Sequence, residues 1–188
     1  MTTGATPGQT VGPFFGFSLP YPGGELLVPA HHPQAVRLHG FVLDGDGQPV
    51  PDALLEIWQA DRDAQPSDRA GSLHRDGHTF TGWGRTGTDN VGHYSFSTLE
   101  PARTDGPAFI ALTVFARGLM HRLLTRIYLP DQPELTSDPF LRSVPEERRG
   151  TLVAQRDGPA ALRFDVHFQG AQETVFLAFG PSVVNLPQ

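Results

Sequence analysis

Residues 36–60, VRLHGFVLDGDGQPVPDALLEIWQA, contain two strand-forming runs joined by a turn. The first run, residues 36–43, alternates between apolar and other side chains and ends at an Asp-Gly-Asp-Gly turn signal. Two prolines delay the second run, residues 54–60, whose composition is compatible with a β-strand. Strands joined by turns rather than by helices are typical of antiparallel sheets.

Turn residues also separate strand-forming segments along the rest of the chain. Further strands are predicted at residues 79–85, 93–98, 108–116, 122–129, 151–156, 161–169 and 173–179. The segment 108–116 is almost continuously apolar, as expected of a strand buried on both faces. One short helix is predicted within 139–149, with Asp138 as its cap. The fold expected is all-β: a mostly antiparallel β-sandwich with an extended N-terminal arm and at most one or two short helices.

The first 33 residues are rich in Gly, Pro and Thr and show no sustained period, so they are predicted to form an arm. Aromatic side chains in this arm, Phe14, Phe15, Phe17 and Tyr21, are poorly suited to water. The arm therefore packs either on its own domain or on a partner. The rest of the chain, residues 34–188, is expected to be the β-sandwich domain.

Composition excludes several classes of chemistry. The chain has no Cys and no Lys, since all 14 of its residues counted as Lys or Arg are Arg. Thiolate metal sites and lysine Schiff bases are therefore excluded. A formal net charge of −6 argues against nucleic-acid binding. No apolar run reaches the roughly 18 residues of a membrane span, and residues 1–17 do not resemble a signal peptide. We therefore expect a cytoplasmic protein.

Few side chains suggest catalysis from their spacing alone. The 8 His residues show no helical zinc spacing, and His74 and His78 are more typical of a solvated loop than of a metal site. Glu56 lies between apolar residues of a strand and needs a partner such as an Arg, so a structural ion pair is favoured over a catalytic acid. Trp58 and Trp83 are predicted to be core or sheet-face residues rather than ligand platforms.

Arg117 directly follows the most apolar strand and precedes a glycine, which places it at a strand end. An Arg at a strand end can present its guanidinium fork to a carboxylate. From spacing alone, a simple surface Arg explains this position equally well.

Two long motifs, HGFVLDGDGQPVPDALLEIWQAD at 39–61 and GWGRTGTDNVGHYSFSTLEP at 82–101, resemble the intradiol ring-cleaving dioxygenases. These are non-haem iron(III) enzymes that open catechols between the two hydroxyls. Four further segments are similar to the alpha subunits of the two-subunit members that act on protocatechuate. They are TPGQTVGPFF at 6–15, FARG at 115–118, TRIYLPD at 125–131 and RFDVHFQGAQETVFLAF at 163–179.

The resemblance implies an iron site of two Tyr and two His, with the His pair in a strand reading Pro-Ala-His-Ile-His. The aligned stretch here is PAFIA, so Phe109 and Ala111 stand at the two ligand positions. The segments in which the ligand Tyr residues are expected, 61–78 and 102–106, contain no Tyr. The resemblance thus implies that this chain carries no metal ligand and no catalytic residue, and that Fe(III) is bound by a partner beta subunit.

The resemblance also implies a role for the arm, which would pack on the partner and line its active site. Thr10, Gly12 and Pro13 would form a wall against the substrate ring, and Phe14 would extend it as an apolar surface. Arg117 matches the Arg of the family's FARG segment, near the substrate carboxylate. The complex, a higher-order alpha/beta oligomer, would use O2 to cleave protocatechuate to 3-carboxy-cis,cis-muconate, whereas the isolated chain would be inactive.

Two other interpretations remain at this point. One is a stand-alone β-sandwich that serves as a binding or scaffolding module without catalysis. The other is a self-sufficient metalloenzyme that uses His74, His78 or His121, and the missing ligand pair makes this the weaker of the two.

Overall fold

The computed structural model describes residues 10–12, 14–67, 75–103 and 105–178. Within these ranges nine strands form two sheets. They are β1 (Val36–Leu43), β2 (Leu54–Trp58), β3 (Trp83–Gly87), β4 (His93–Thr98), β5 (Phe109–Phe115), β6 (Leu123–Tyr128), β7 (Gln155–Arg156), β8 (Ala161–Arg163) and β9 (Val166–His167).

The first sheet has the order β4-β1-β8-β7, with β9 also paired to β1, and the second sheet has the order β3-β2-β5-β6. The β1–β8 and β1–β9 pairings are parallel, and the other pairings are antiparallel. The predicted fold class, a mostly antiparallel β-sandwich, is confirmed.

The core lies between the two sheets, where alternate side chains of each strand meet. The residues that form its centre are at most 1% exposed: Leu38, Val42, Tyr94 and Phe96 from the first sheet, and Leu55, Ile57, Ile110, Leu112, Val114 and Ile127 from the second. The Tyr94 hydroxyl donates to the Phe164 carbonyl over 2.6 Å, which satisfies both groups in this apolar interior.

The prediction that segment 108–116 is buried on both faces is wrong within this chain. Exposure alternates along β5: Ile110, Leu112 and Val114 are buried, whereas the residues between them are partly exposed. Only one face of the second sheet meets the first sheet, so the apolar side chains on the other face must be covered differently or remain in contact with water.

The predicted strand 161–169 is divided into β8 and β9. At the break, the Asp165 carboxylate accepts the Phe41 amide over 3.0 Å and so replaces a rung of the β ladder. The predicted strand at 173–179 is wrong over its described part, residues 173–178, which has no regular ladder. Isolated backbone hydrogen bonds hold this segment instead. The Thr174 amide donates to the His167 carbonyl over 3.0 Å, and the Leu177 amide donates to the Leu124 carbonyl over 2.7 Å.

The helices are short. They are α1 (Phe15–Ser18), α2 (Pro139–Ser143) and α3 (Glu146–Arg149), with 3-10 turns at Pro133–Thr136 and Gly150–Leu152. Asp138 caps α2 as predicted, because its Oδ1 accepts the Leu141 amide over 2.8 Å. Pro145 divides the predicted single helix in two, since it disfavours helical geometry at Val144, whose ψ is 136°. Among the described residues no helix is long and apolar enough to cross a bilayer.

Candidate functional site

The second half of the arm packs on the chain's own sandwich. The amides of Leu27 and Val28 both donate to the Ser97 carbonyl on β4, over 2.9 and 3.3 Å. The side chains of Leu27 and Val28 are buried. This part of the arm therefore belongs to the fold of its own domain.

Arg75 attaches the arm to the edge strand β3. Its guanidinium donates to the carbonyls of Gly23 (3.2 Å), Gly24 (3.2 Å) and Trp83 (3.0 Å) and to the Tyr21 hydroxyl (3.0 Å). The Tyr21 ring in turn stacks on Trp83, with the ring centroids 6.3 Å apart. An Arg is suited to this position because its planar fork donates in several directions at once.

Arg85 provides a second attachment of the arm to β3 and is also the cationic partner of Glu56. Its Nε and Nη2 both donate to Glu56 Oε1, over 2.8 and 2.6 Å, and both side chains are largely buried. Its Nη1 donates to the Leu19 carbonyl over 3.0 Å. The prediction of a structural ion pair at Glu56 is confirmed, and the same Arg holds the arm at residue 19.

Residues 14–17 of the arm present two aromatic side chains to solvent. Phe14 is 74% exposed and Phe17 is 86% exposed, whereas Phe15 between them is buried. The short helix α1 produces this arrangement, since it turns adjacent side chains to different sides. Large exposed rings on a segment that is fixed at its far end are typical of a surface that contacts another molecule.

The arm also reaches the end of β5. The Gly118 amide donates to Thr10 Oγ1 over 3.1 Å, and the adjacent Arg117 pairs with Asp52 through Nε and Oδ2 at 2.7 Å. A Cβ added to Gly16 would lie 3.7 Å from the Cβ of Asp52. Three segments that are distant in sequence therefore meet at one end of the sandwich: residues 10–16, 52 and 117–118.

The structure brings together some of the residues implicated by sequence. Thr10 accepts the amide of Gly118, the residue that follows Arg117, so Thr10 and Arg117 lie at the same end of the sandwich. Phe14, four residues after Thr10, is exposed. Gly12 has open space around its Cα, with nothing within 4 Å of an added Cβ. Pro13 lies outside the described residues. Among the described residues, the geometry therefore brings Thr10, Arg117 and Asp52 together at one end of the sandwich.

The sequence did not identify Asp52 as the partner of Arg117, although the strand pattern contains a signal for this pair. Leu54 pairs with Phe115 in the antiparallel β2–β5 ladder. Two residues beyond this pair, on both strands, are Asp52 and Arg117, and opposite charges at such facing positions attract each other. The missing information was the register, which the sequence alone does not supply.

The positions aligned with the family's iron ligands do not fit a metal. Phe109 and Ala111 have no donor atom, and their neighbours across the β5–β6 ladder are Tyr128 and Arg126. Arg126 donates to the Tyr128 hydroxyl and lies over the Phe109 ring, so a permanent cation occupies this region. No cluster of three His, Cys, Asp or Glu residues suited to a metal occurs within the described ranges.

The histidine candidates that the structure describes do not form a metal site either. His78 and His121 are exposed, and His74 lies outside the described residues. Among the described histidines, His39 on β1 is buried, and its Nε2 lies 2.9 Å from Asp157 Oδ2. Burial, followed by the charge of Arg37, lowers the pKa of His39.

Comparison with known proteins agrees with these features. A family model described as Dioxygenase matches residues 12–170. The chain is 39% identical to the protocatechuate 3,4-dioxygenase alpha chain of Burkholderia cepacia, over 91% of this chain and 95% of that one. It is 30% identical to the protocatechuate 3,4-dioxygenase beta chain of the same organism, over 75% of this chain and 67% of that one.

Among solved structures, the dioxygenase domain of a dioxygenase carbohydrate-binding protein fusion from Streptomyces sp. SirexAA-E superposes with a TM-score of 0.57. That match covers 88% of this chain and 98% of the domain at 23% identity, so it concerns the fold alone. The family model spans far more than half of the chain, and the alpha-chain relative spans nearly all of it. The chain therefore belongs to the intradiol dioxygenase family.

Proposed function

We propose that this chain is the metal-free alpha subunit of a protocatechuate 3,4-dioxygenase and that it completes an active site whose iron is held by a beta subunit. One observation carries the proposal. The arm and Arg117 converge at one end of the sandwich through the Thr10–Gly118 contact, while the aligned ligand positions carry Phe109 and Ala111. A chain of this kind contributes a wall and a charge to a site but no metal donor.

The alpha and beta chains of one organism are both similar to this chain, which supports an alpha/beta assembly of related sandwiches. The exposed rings of Phe14 and Phe17 supply an apolar surface for the partner. Arg75 and Arg85 hold residues 19–24 to β3, which fixes the end of the segment that would meet the partner. Preorganisation of this kind reduces the entropy that is lost when two surfaces associate.

In the proposed complex the arm bounds the substrate ring. Gly12 permits a close approach of the backbone, because no side chain intervenes. Thr10, Pro13 and Phe14 continue this wall and exclude water from one side of the site. Iron(III) and the reaction with O2 belong to the beta subunit, and ring opening would yield 3-carboxy-cis,cis-muconate.

Arg117 would orient the substrate by its carboxylate. Its side chain is 58% exposed, so the guanidinium is accessible to an anion. Asp52 pairs with Arg117 through Nε, and in the proposed complex the Nη groups would bind the carboxylate of the substrate. Asp52 would thus hold Arg117 in place, and the same attraction would compete modestly with the substrate.

Expression of this chain with and without its beta subunit tests the proposal. The isolated chain is expected to contain no iron and to have no turnover of protocatechuate, and the copurified pair is expected to show both. A variant without residues 1–12 should retain the iron of the pair but should have a lower kcat/KM for protocatechuate. Iron-dependent turnover by the isolated chain would overturn the proposal.

A chain that stays separate from the beta subunit and binds ligands alone would instead identify a stand-alone binding module. Size-exclusion chromatography of the mixed subunits distinguishes this outcome from assembly. A cytoplasmic location remains a prediction, which fractionation of expressing cells tests.

A further inference from the structure

A cavity of about 360 Å³ lies beside β8 and β9 of the first sheet. Side chains alternate along this stretch: Leu162 and Val166 are fully buried in the core, so the residues next to them face the opposite side. The outward residues Arg163, Asp165 and His167 line the cavity. One side of the cavity is therefore the outer face of the first sheet.

A second side of the cavity is formed by the segment that precedes β7. Glu147 lies on α3, and Thr151 lies in the 3-10 turn that follows it. Thr151 fastens this segment to the fold, because its Oγ1 donates to the Arg148 carbonyl over 2.8 Å and accepts the Val175 amide over 3.3 Å. Small-molecule sites in proteins have volumes of about 300–1,000 Å³, so the cavity accommodates one small ligand.

The charges that line the cavity favour a cation. The Arg163 guanidinium donates to Asp165 Oδ2 through Nε at 3.1 Å and through Nη2 at 2.8 Å, so these two opposite charges are paired. In the described part of the chain, the Glu147 carboxylate forms no ion pair and accepts no hydrogen bond. Its neighbour Arg148 pairs with Glu173 instead. A carboxylate without a cationic partner attracts a cation from a ligand.

Three further side chains of the lining both donate and accept hydrogen bonds. Gln155 on β7 and Gln172 in the turn after β9 have amide groups, and His167 has an imidazole, which in its neutral form donates through one nitrogen and accepts through the other. Within the ranges that the structure describes, none of these three side chains forms a hydrogen bond with the protein. Hydroxyl groups have the same dual character, so a ligand rich in hydroxyls fits this lining.

We propose that this cavity is a binding site for a small hydroxylated primary amine, an amino alcohol or an amino polyol. The ammonium group pairs with the Glu147 carboxylate, and the hydroxyls bind Gln155, Gln172 and His167. The lining includes neither the arm nor Arg117. The inference therefore does not depend on the proposed function, because it concerns binding by this chain alone.

Saturation-transfer NMR of the full chain with glucamine (1-amino-1-deoxysorbitol) tests the proposal, in whichever assembly the chain purifies. The buffer is phosphate, because Tris belongs to the proposed ligand class. Saturable binding is expected with a Kd of about 1–10 mM, which is reasonable for a hydrophilic ligand of about 12 heavy atoms. Sorbitol has a hydroxyl in place of the ammonium and should bind about three- to tenfold more weakly, since it cannot pair with Glu147.

Two neighbouring carboxylates of α3 provide a variant and its matched control. Glu147→Gln keeps the size of the side chain but removes its charge, and it should raise the Kd for glucamine about three- to tenfold. The Kd for sorbitol should stay unchanged in this variant, because sorbitol has no charge to pair. Glu146 is also exposed but does not line the cavity, so Glu146→Gln should leave the Kd for glucamine unchanged.

Ala171→Phe tests the location of the site without a change in charge. Ala171 lines the cavity and is exposed, so the larger side chain fills the space without a disturbance of the core. Ala171→Phe should abolish the binding of glucamine, while its melting temperature stays that of the unaltered chain. The proposal is overturned if glucamine gives no saturable signal, if sorbitol binds as tightly as glucamine, if Glu147→Gln binds glucamine as tightly as Glu146→Gln, or if Ala171→Phe leaves the Kd unchanged.

Discussion

Replacement of Arg117 by Ala in the alpha/beta complex should separate substrate recognition from stability. The Arg117 and Asp52 side chains are 58% and 35% exposed, so water screens their attraction. Ion pairs of this exposure contribute at most about 1 kcal/mol, and often less. The melting temperature of the complex should therefore change by only about 2–4 °C or less.

The effect on catalysis should be larger and should depend on the substrate. A hydrogen bond between charged groups contributes about 1.5–3 kcal/mol, which corresponds to a loss of about 10- to 150-fold in kcat/KM for protocatechuate. Catechol lacks the carboxylate, so its kcat/KM should change by less than about threefold. Asp52→Asn releases the guanidinium and should lower KM for protocatechuate by no more than about fivefold, the upper value of an exposed pair.

Steady-state kinetics on both substrates, with Arg122→Ala as the matched exposed control, provide the measurement. Equal losses on protocatechuate and catechol would show that Arg117 does not bind the carboxylate. A large fall in the melting temperature of Arg117→Ala would show instead that its role is structural. Either result would refute the reasoning from exposure and charge.

Three predictions concern stability and are measured by urea denaturation. Tyr94→Phe leaves the buried Phe164 carbonyl without its donor and should cost about 1–3 kcal/mol. Arg85→Met leaves Glu56 unpaired and should cost about 2–4 kcal/mol, part of which Glu56→Gln should restore in the double variant. Because burial lowers the pKa of His39, the unfolded chain takes up its proton more readily, so stability should fall as pH drops below about 6.5. His39→Gln should flatten this dependence, and an unchanged slope would contradict it.

Local pattern was a good guide for β1 and β4, whereas the strand predicted at 151–156 is reduced to Gln155–Arg156 after a 3-10 turn. The bounds of β1 and β4 agree with the alternating segments 36–43 and 93–98, because a period of two is enough to define such strands. The same reasoning failed at 173–178, where apolar residues pack without a continuous ladder. It also failed on the outer face of β5, since an apolar run does not reveal what covers its second face.

Sequence by itself determined the mostly antiparallel sandwich and the requirement of Glu56 for a cationic partner. It did not determine which Arg that is. Arg85 became the partner of Glu56, Asp52 became the partner of Arg117, and Ala111 came to lie between Trp58 and Arg126, all through strand register. Register is set by hydrogen-bonded ladders between residues far apart in the chain, and a shift of one residue would turn each side chain to the opposite face. The tertiary structure therefore decided which of the described charges and rings meet.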